Sequence, residues 1–302
     1  MRMNHCYKSA GKVLCLLMLA ALFCLAAGCG QQGGSEQTAG DRDTLYQVSL
    51  LQGLTMGDFS GSVTAADLKE HGDAGIGTFD GVNGELIMLD GTVYRAAGDG
   101  SVEEVPDQET IPFANVTYFD ADDSASVSGI DGFQDLTAYL DEQLSTQGAN
   151  HFQVVKLTGT FSRMYVRSEL AQDEPYHTLK EVLETDQRFF DYSSVTGTAV
   201  GIYCPVYMGQ LNSPGWHFHF LSDDRTMGGH VVDLTLEEGQ VQWDETTALE
   251  MVLPDSERFM TYDFSTDQSQ DVKDVERPTS AEAAMVRPSP KQKDSVRICM
   301  PI

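Results

Sequence analysis

Three of the chain's seven histidines, His217, His219 and His230, fall in one short stretch, and that stretch is where the sequence can do chemistry. From Trp216 to Phe220 the order is Trp-His-Phe-His-Phe. Strict alternation of this kind is the pattern of a half-buried β-strand. Trp216, Phe218 and Phe220 then face one side, and His217 and His219 face the other, about 7 Å apart along the strand. Ser222, Asp223, Asp224 and Arg225 are turn formers, and a second apolar run follows His230 through Val231, Val232 and Leu234. This reads as a hairpin. With the turn centred on Asp224 and Arg225, His230 pairs with His219 and their Cβ atoms lie about 5 Å apart on one face. Three neutral imidazoles converging on a point, with a fourth position open, are what a catalytic zinc or similar divalent ion requires. For two histidines alone, an exposed sheet face is the simpler reading; the third supplies the ligand count. A one-residue slip in the register sends His230 to the wrong face.

The elements that must hold this hairpin are mostly strands. Residues 45–50 read as a strand. Residues 64–71 read as a short helix, with Thr64 as N-cap and Asp67 completing a capping box, and Gly72 ends it. Residues 75–94 read as a meander of strands separated by a glycine-rich turn and an Asp-Gly turn. The Gly75-Ile76-Gly77 pair is not a nucleotide loop, because no helix follows it. Residues 112–119 are another strand, 120–131 an acidic loop, and 133–144 a helix with apolar spacing at Phe133, Leu136, Leu140 and Leu144. Residues 152–160 and 163–167 read as two paired strands around Gly159, 176–185 as a helix, and 196–207 as a strand leading to the histidine hairpin. Residues 241–243 and 249–253 add strands, and 259–277 read as partly helical. Many strands with few helices, in no regular alternation, indicate an α+β fold of mixed β-sheets, here two closely packed β-rich subdomains.

The two ends differ from the body. Residues 1–29 carry Arg2, Lys8 and Lys12, then an uninterrupted apolar run over 13–27, then small residues before Cys29. This is an export signal, and a small-residue triplet directly before cysteine resembles the lipobox of bacterial lipoproteins. It implies cleavage before Cys29 and a lipid anchor on that residue; the alternatives are an ordinary secreted protein cut nearby or a retained anchor, and in each case the domain works outside the cytoplasm. Residues 30–44 are small and polar, a flexible linker, and 278–302 form an atypical tail, expected to be disordered and basic at its end. Of the six cysteines, Cys204 lies in an apolar run and reads as a core residue; a Cys204–Cys299 disulfide is compatible with an oxidising compartment but rests on one pair alone. With 46 acidic against 19 basic side chains, the chain is a poor partner for nucleic acid or anionic lipid.

Larger blocks carry a family resemblance. Residues 197–203, Asn212-Ser213-Pro214-Gly215, the histidine hairpin, Met56-Gly57-Asp58-Phe59-Ser60-Gly61, His71-Gly72-Asp73, Gly84-Glu85-Leu86-Ile87, Pro112-Phe113-Ala114 and Gly159-Thr160-Phe161-Ser162-Arg163 with Arg167 follow one another in order. Together, over residues 45–277, they resemble acetolactate decarboxylase. The resemblance implies decarboxylation of 2-acetolactate, a small 2-hydroxy-3-keto acid, to acetoin and carbon dioxide through a metal-stabilised enediolate. It implies Zn2+ on His217, His219 and His230, an essential Arg167, functional glutamates at Glu85 and Glu276, and Thr78 in the pocket lining; a homodimer is compatible with it. Two other readings use the same histidines. A cupin-like metal enzyme wants a glutamate three or four residues after the second histidine, where this chain has Asp223 and an incipient turn. A non-catalytic metal-binding surface lipoprotein would bind metal without needing Arg167.

Overall fold

The computed structural model describes residues 42–265 together with Gln270 and Val272. The expected signal peptide of residues 1–29, most of the expected 30–44 linker, Glu276 and the expected 278–302 tail lie outside the described residues. Thr44 already opens the first strand.

Two β-sheets dominate. The strands are β1 (Thr44–Val48), β2 (Val63–Thr64), β3 (Ala74–Thr78), β4 (Glu85–Leu89), β5 (Thr92–Ala96), β6 (Val102–Glu104), β7 (Thr110–Ile111), β8 (Phe113–Thr117), β9 (Asp123–Asp131), β10 (Phe152–Glu169), β11 (Gln187–Cys204), β12 (Gly215–Ser222), β13 (Gly228–Thr246) and β14 (Ala248–Val252). The helices are α1 (Leu51–Thr55), α2 (Ala65–Lys69), α3 (Phe133–Gln147) and α4 (Leu179–Asp186). One sheet runs β14-β1-β8-β3-β4-β5-β6. The other runs β10-β11-β12-β13-β9, and a further pairing of β10 with β13 closes its four long strands into a ring. The α+β class and the two β-rich units expected from sequence are what the fold contains.

Burial follows the alternation of the strands. Trp216, Phe218 and Phe220 of β12 join Leu136, Leu140 and Leu144 of α3 in one core, and Trp216 Nε1 donates to Asp141 Oδ1 over 2.9 Å. On the opposite side of β11 and β12, Val200, Ile202 and Leu221 pack with Ile76, Ile87 and Leu89 of the other sheet. The histidines project into this seam. The Phe218 ring of β12 lies over β11 because Gly201 has no side chain: a Cβ there would meet that ring at 2.1 Å.

Several local expectations hold. Thr64 and Asp67 form the capping box of α2, and Thr178 with Glu181 forms another on α4, which begins at Leu179 rather than at residue 176. Cys204 is buried with no disulfide among the described residues. Two expectations are corrected. Residues 123–131 are a strand on the edge of β13, not a loop. Residues 152–169 are one continuous strand rather than a pair around Gly159. Gly159 stands opposite Gly197 on one side and Gly239 on the other, and a Cβ there would fall 2.4 Å from the Glu238 carbonyl. It marks a close approach of three backbones, not a turn. Among the described residues no helix is long and apolar enough to cross a membrane.

Candidate active site

The hairpin has the register that its composition requires. His219 is opposite His230, Phe220 opposite Gly229 and Leu221 opposite Gly228. Ser222 N donates to Met227 O to close the turn around Asp224 and Arg225. The ligand atoms of His217, His219 and His230 all lie within 4.8 Å of one another. His217 Nε2 is 3.0 Å from His219 Nε2 and 2.9 Å from His230 Nδ1.

The neighbouring strands bring the other groups. His230 is opposite Arg167 of β10, so Arg167 shares the histidine face. Gly229, at φ +143, lets the two backbones close up; a Cβ there would be 2.6 Å from the Arg167 carbonyl. From the other sheet comes Glu85, the first residue of β4, opposite Thr78 of β3. Its Oε2 is 3.2 Å from His219 Nε2, and both side chains are buried. Thr78 donates its hydroxyl to Gly84 O over 2.9 Å, which ties down the turn before Glu85.

These residues line one pocket enclosing about 440 Å³ of space, its open mouth included. One wall is polar: Glu85, Arg167, Glu169, Thr78 and the three histidines. The opposite wall is apolar, with Leu51 and Leu54 of α1, Val82, Phe113, and Leu179 and Leu183 of α4. That apolar wall belongs to a small core that also includes Val272.

The histidine chemistry suits a cation. The Leu86 carbonyl, 2.8 Å from His219 Nδ1, can only accept. His219 therefore carries its proton on Nδ1, and its Nε2 is a bare lone pair. That lone pair faces Nε2 of His217 and a carboxylate oxygen of Glu85. Converging electron pairs of this kind are stable around a bound cation. Protonating the rings is not the alternative. Burial, followed by the nearby Arg167 charge, pushes His217 down to about 3. Burial and the proximity of His217 hold His219 well below the ordinary histidine range. Both rings are neutral donors at neutral pH, the form a metal takes. A structural Leu86 carbonyl thus fixes the ligand tautomer.

Of the residues expected in the site, His217, His219, His230, Glu85, Arg167 and Thr78 meet in this pocket. Glu276 lies outside the described residues. The sequence reading passed over Glu169 and the apolar wall. Glu169 stands two places after Arg167, and the period of two on a strand was the signal that could have found it.

The chain's similarities agree with this geometry. The family model described as alpha-acetolactate decarboxylase matches residues 45–266. An alpha-acetolactate decarboxylase of Methanosarcina mazei is 39% identical over 235 residues, covering 78% of this chain and 81% of the relative. One from Bacillus licheniformis is 34% identical over 224 residues, covering 74% and 87%. The crystal structure of alpha-acetolactate decarboxylase from Bacillus subtilis strain 168 superposes with a TM-score of 0.74 at 29% identity, covering 78% of this chain and 99% of that one. With the match extending over most of the chain and over every element that builds the pocket, the protein belongs to the alpha-acetolactate decarboxylase family.

Proposed function

We propose that this protein decarboxylates 2-acetolactate to acetoin and carbon dioxide, with Zn2+ held by His217, His219 and His230. The observation that carries the reading is the convergence of three imidazoles with Glu85 and Arg167 in one half-apolar pocket. A bound divalent ion supplies Lewis-acid stabilisation for the charge that develops on the substrate oxygens as carbon dioxide leaves. The protein's own groups do the rest. Arg167 presents a planar fork that matches a carboxylate and holds it in a defined plane. The wall of Leu51, Leu54, Leu179 and Leu183 takes the methyl groups and excludes water from the reacting carbon. Glu85 is placed to deliver a proton to the carbon that the carboxylate leaves.

Glu276 is the second carboxylate in this reading. Its support is the family resemblance around Asp274-Val275-Glu276. A lipid anchor at Cys29 after export completes the proposal and rests on the sequence of residues 1–29.

The decisive experiment measures acetoin release from racemic 2-acetolactate before chelation, after chelation and after zinc is restored. Release that stops and returns supports the reaction and the zinc site together. A folded, zinc-loaded protein that releases none is a metal-binding protein without this chemistry. Iron rather than zinc in the purified protein would point back to a cupin-like metal enzyme.

A further inference from the structure

Glu169 is a buried carboxylate in the pocket that the proposed reaction does not use. It is 5% exposed, and Arg167 on the same strand is 8% exposed. Residues two apart on a strand share a face, and Arg167 Nε lies 3.9 Å from Glu169 Oε1. Both line the pocket beside Leu179 and Leu183. A carboxylate among leucines, in a site that must admit an anionic substrate, is costly unless a cation offsets it. Arg167 is the cation beside it. The contact is on the Nε side of the guanidinium, away from the edge formed by the two Nη groups.

We propose that Glu169 is a positioning residue for Arg167. It orients the guanidinium by charge, from 3.9 Å on its Nε side, so that the Nη edge is presented to the substrate carboxylate. The inference rests on the reading of Arg167 as the carboxylate clamp. An arginine side chain has several rotatable bonds, and a clamp that is ordered before substrate arrives spends less binding energy on ordering itself. Glu169 acts through Arg167 and does not touch the reacting atoms.

The test is a double-mutant cycle on the zinc-loaded full chain with Glu169→Gln, Arg167→Lys and both together. Glu169→Gln should lower kcat/KM for 2-acetolactate about tenfold with the melting temperature unchanged, and should add less than about twofold in the Arg167→Lys background. Glu169→Asp, which keeps the charge and shortens the reach, should fall between the two and serves if the Gln variant folds poorly. The same cycle is read by calorimetry with 2-hydroxyisobutyrate, a small monocarboxylate, so that the outcome does not depend on turnover. Unchanged affinity and turnover in Glu169→Gln, or losses that multiply independently in the double variant, would overturn the proposal. A wild-type protein that binds the monocarboxylate with full coupling but releases no acetoin would instead sink the decarboxylase reading and leave the positioning role standing.

Discussion

At the scale of single residues, the site is governed by where protons cannot go. Leu86 supplies only a carbonyl oxygen to His219, and this one contact decides which ring nitrogen has a lone pair. The adjacent Glu85 brings its carboxyl group to that lone pair. One strand therefore sets the ligand's tautomer and carries the proposed proton donor. The prediction is specific: Glu85→Gln keeps the shape and one acceptor oxygen but has no acidic proton. Zinc content, measured by atomic emission, should stay near one per chain, while kcat drops by at least about a hundredfold, the contribution typical of general acid catalysis. A Gln variant with wild-type turnover would remove Glu85 from the mechanism.

At the scale of elements, the hairpin shows what a sequence can reveal by itself. The alternation in residues 216–220 and the turn at Asp224 and Arg225 were sufficient to place His230 opposite His219, because register on a half-buried strand is decided by its pattern. Arg167 was not legible that way. A lone arginine on a strand looks like a solvated residue, and only the pairing of β10 with β13 brings it next to His230; the family resemblance, not the spacing, singled it out. Strand β9 was missed because Asp123, Ser124, Ser126, Ser128 and Asp131 face solvent, and only Ala125, Val127 and Ile130 pack against the core. Gly159 misled for the opposite reason, since a glycine required for close packing has the same composition signal as one in a turn. Gly229 is the sharpest test at this scale. Gly229→Ala must place a Cβ 2.6 Å from the Arg167 carbonyl at a φ of +143, strain of about 1–3 kcal/mol. Denaturant unfolding should show that loss, and kcat/KM should fall further than stability alone accounts for, because β13 and β10 must part where His230 meets Arg167. An alanine variant that is as stable and as active as wild type would contradict this packing.

At the scale of the whole molecule, the pocket joins parts that are far apart in the chain: one wall from the sheet of β3 and β4, one from the ring of β10 to β13, and an apolar wall from α1 and α4 whose core also takes in Val272. Val272→Ala removes two buried methyl groups, a loss of about 1.6 kcal/mol, and it should also raise KM, because Val272 shares a core with Leu51, Leu54, Leu179 and Leu183, which line the pocket. Kinetics and urea unfolding on the same sample check both. The acidic composition has its own consequence at Asp244, a buried carboxylate on β13 that accepts from Asp120 N at 3.1 Å. Burial raises it to about 7, above the unfolded value. The folded state thus keeps a proton that the unfolded chain has released, so this contribution is full below about pH 4 and is lost as pH rises through 7. Urea midpoints for wild type should step down progressively between about pH 4 and 7 and level off above that. Asp244→Asn should lack that step while still accepting from Asp120.

The hairpin also sets an order of assembly. Its three imidazoles depend on one turn, and hairpins close in about 1–10 μs. Glu85 and Leu86 reach it only when the second sheet docks, across a sequence separation of 133 residues between Leu86 and His219. Metal capture therefore needs little of the chain, whereas the catalytic pocket needs nearly all of it. An ion that binds the early hairpin favours every state in which the hairpin exists. Zinc added at the start of refolding should then speed folding as well as fill the proposed site.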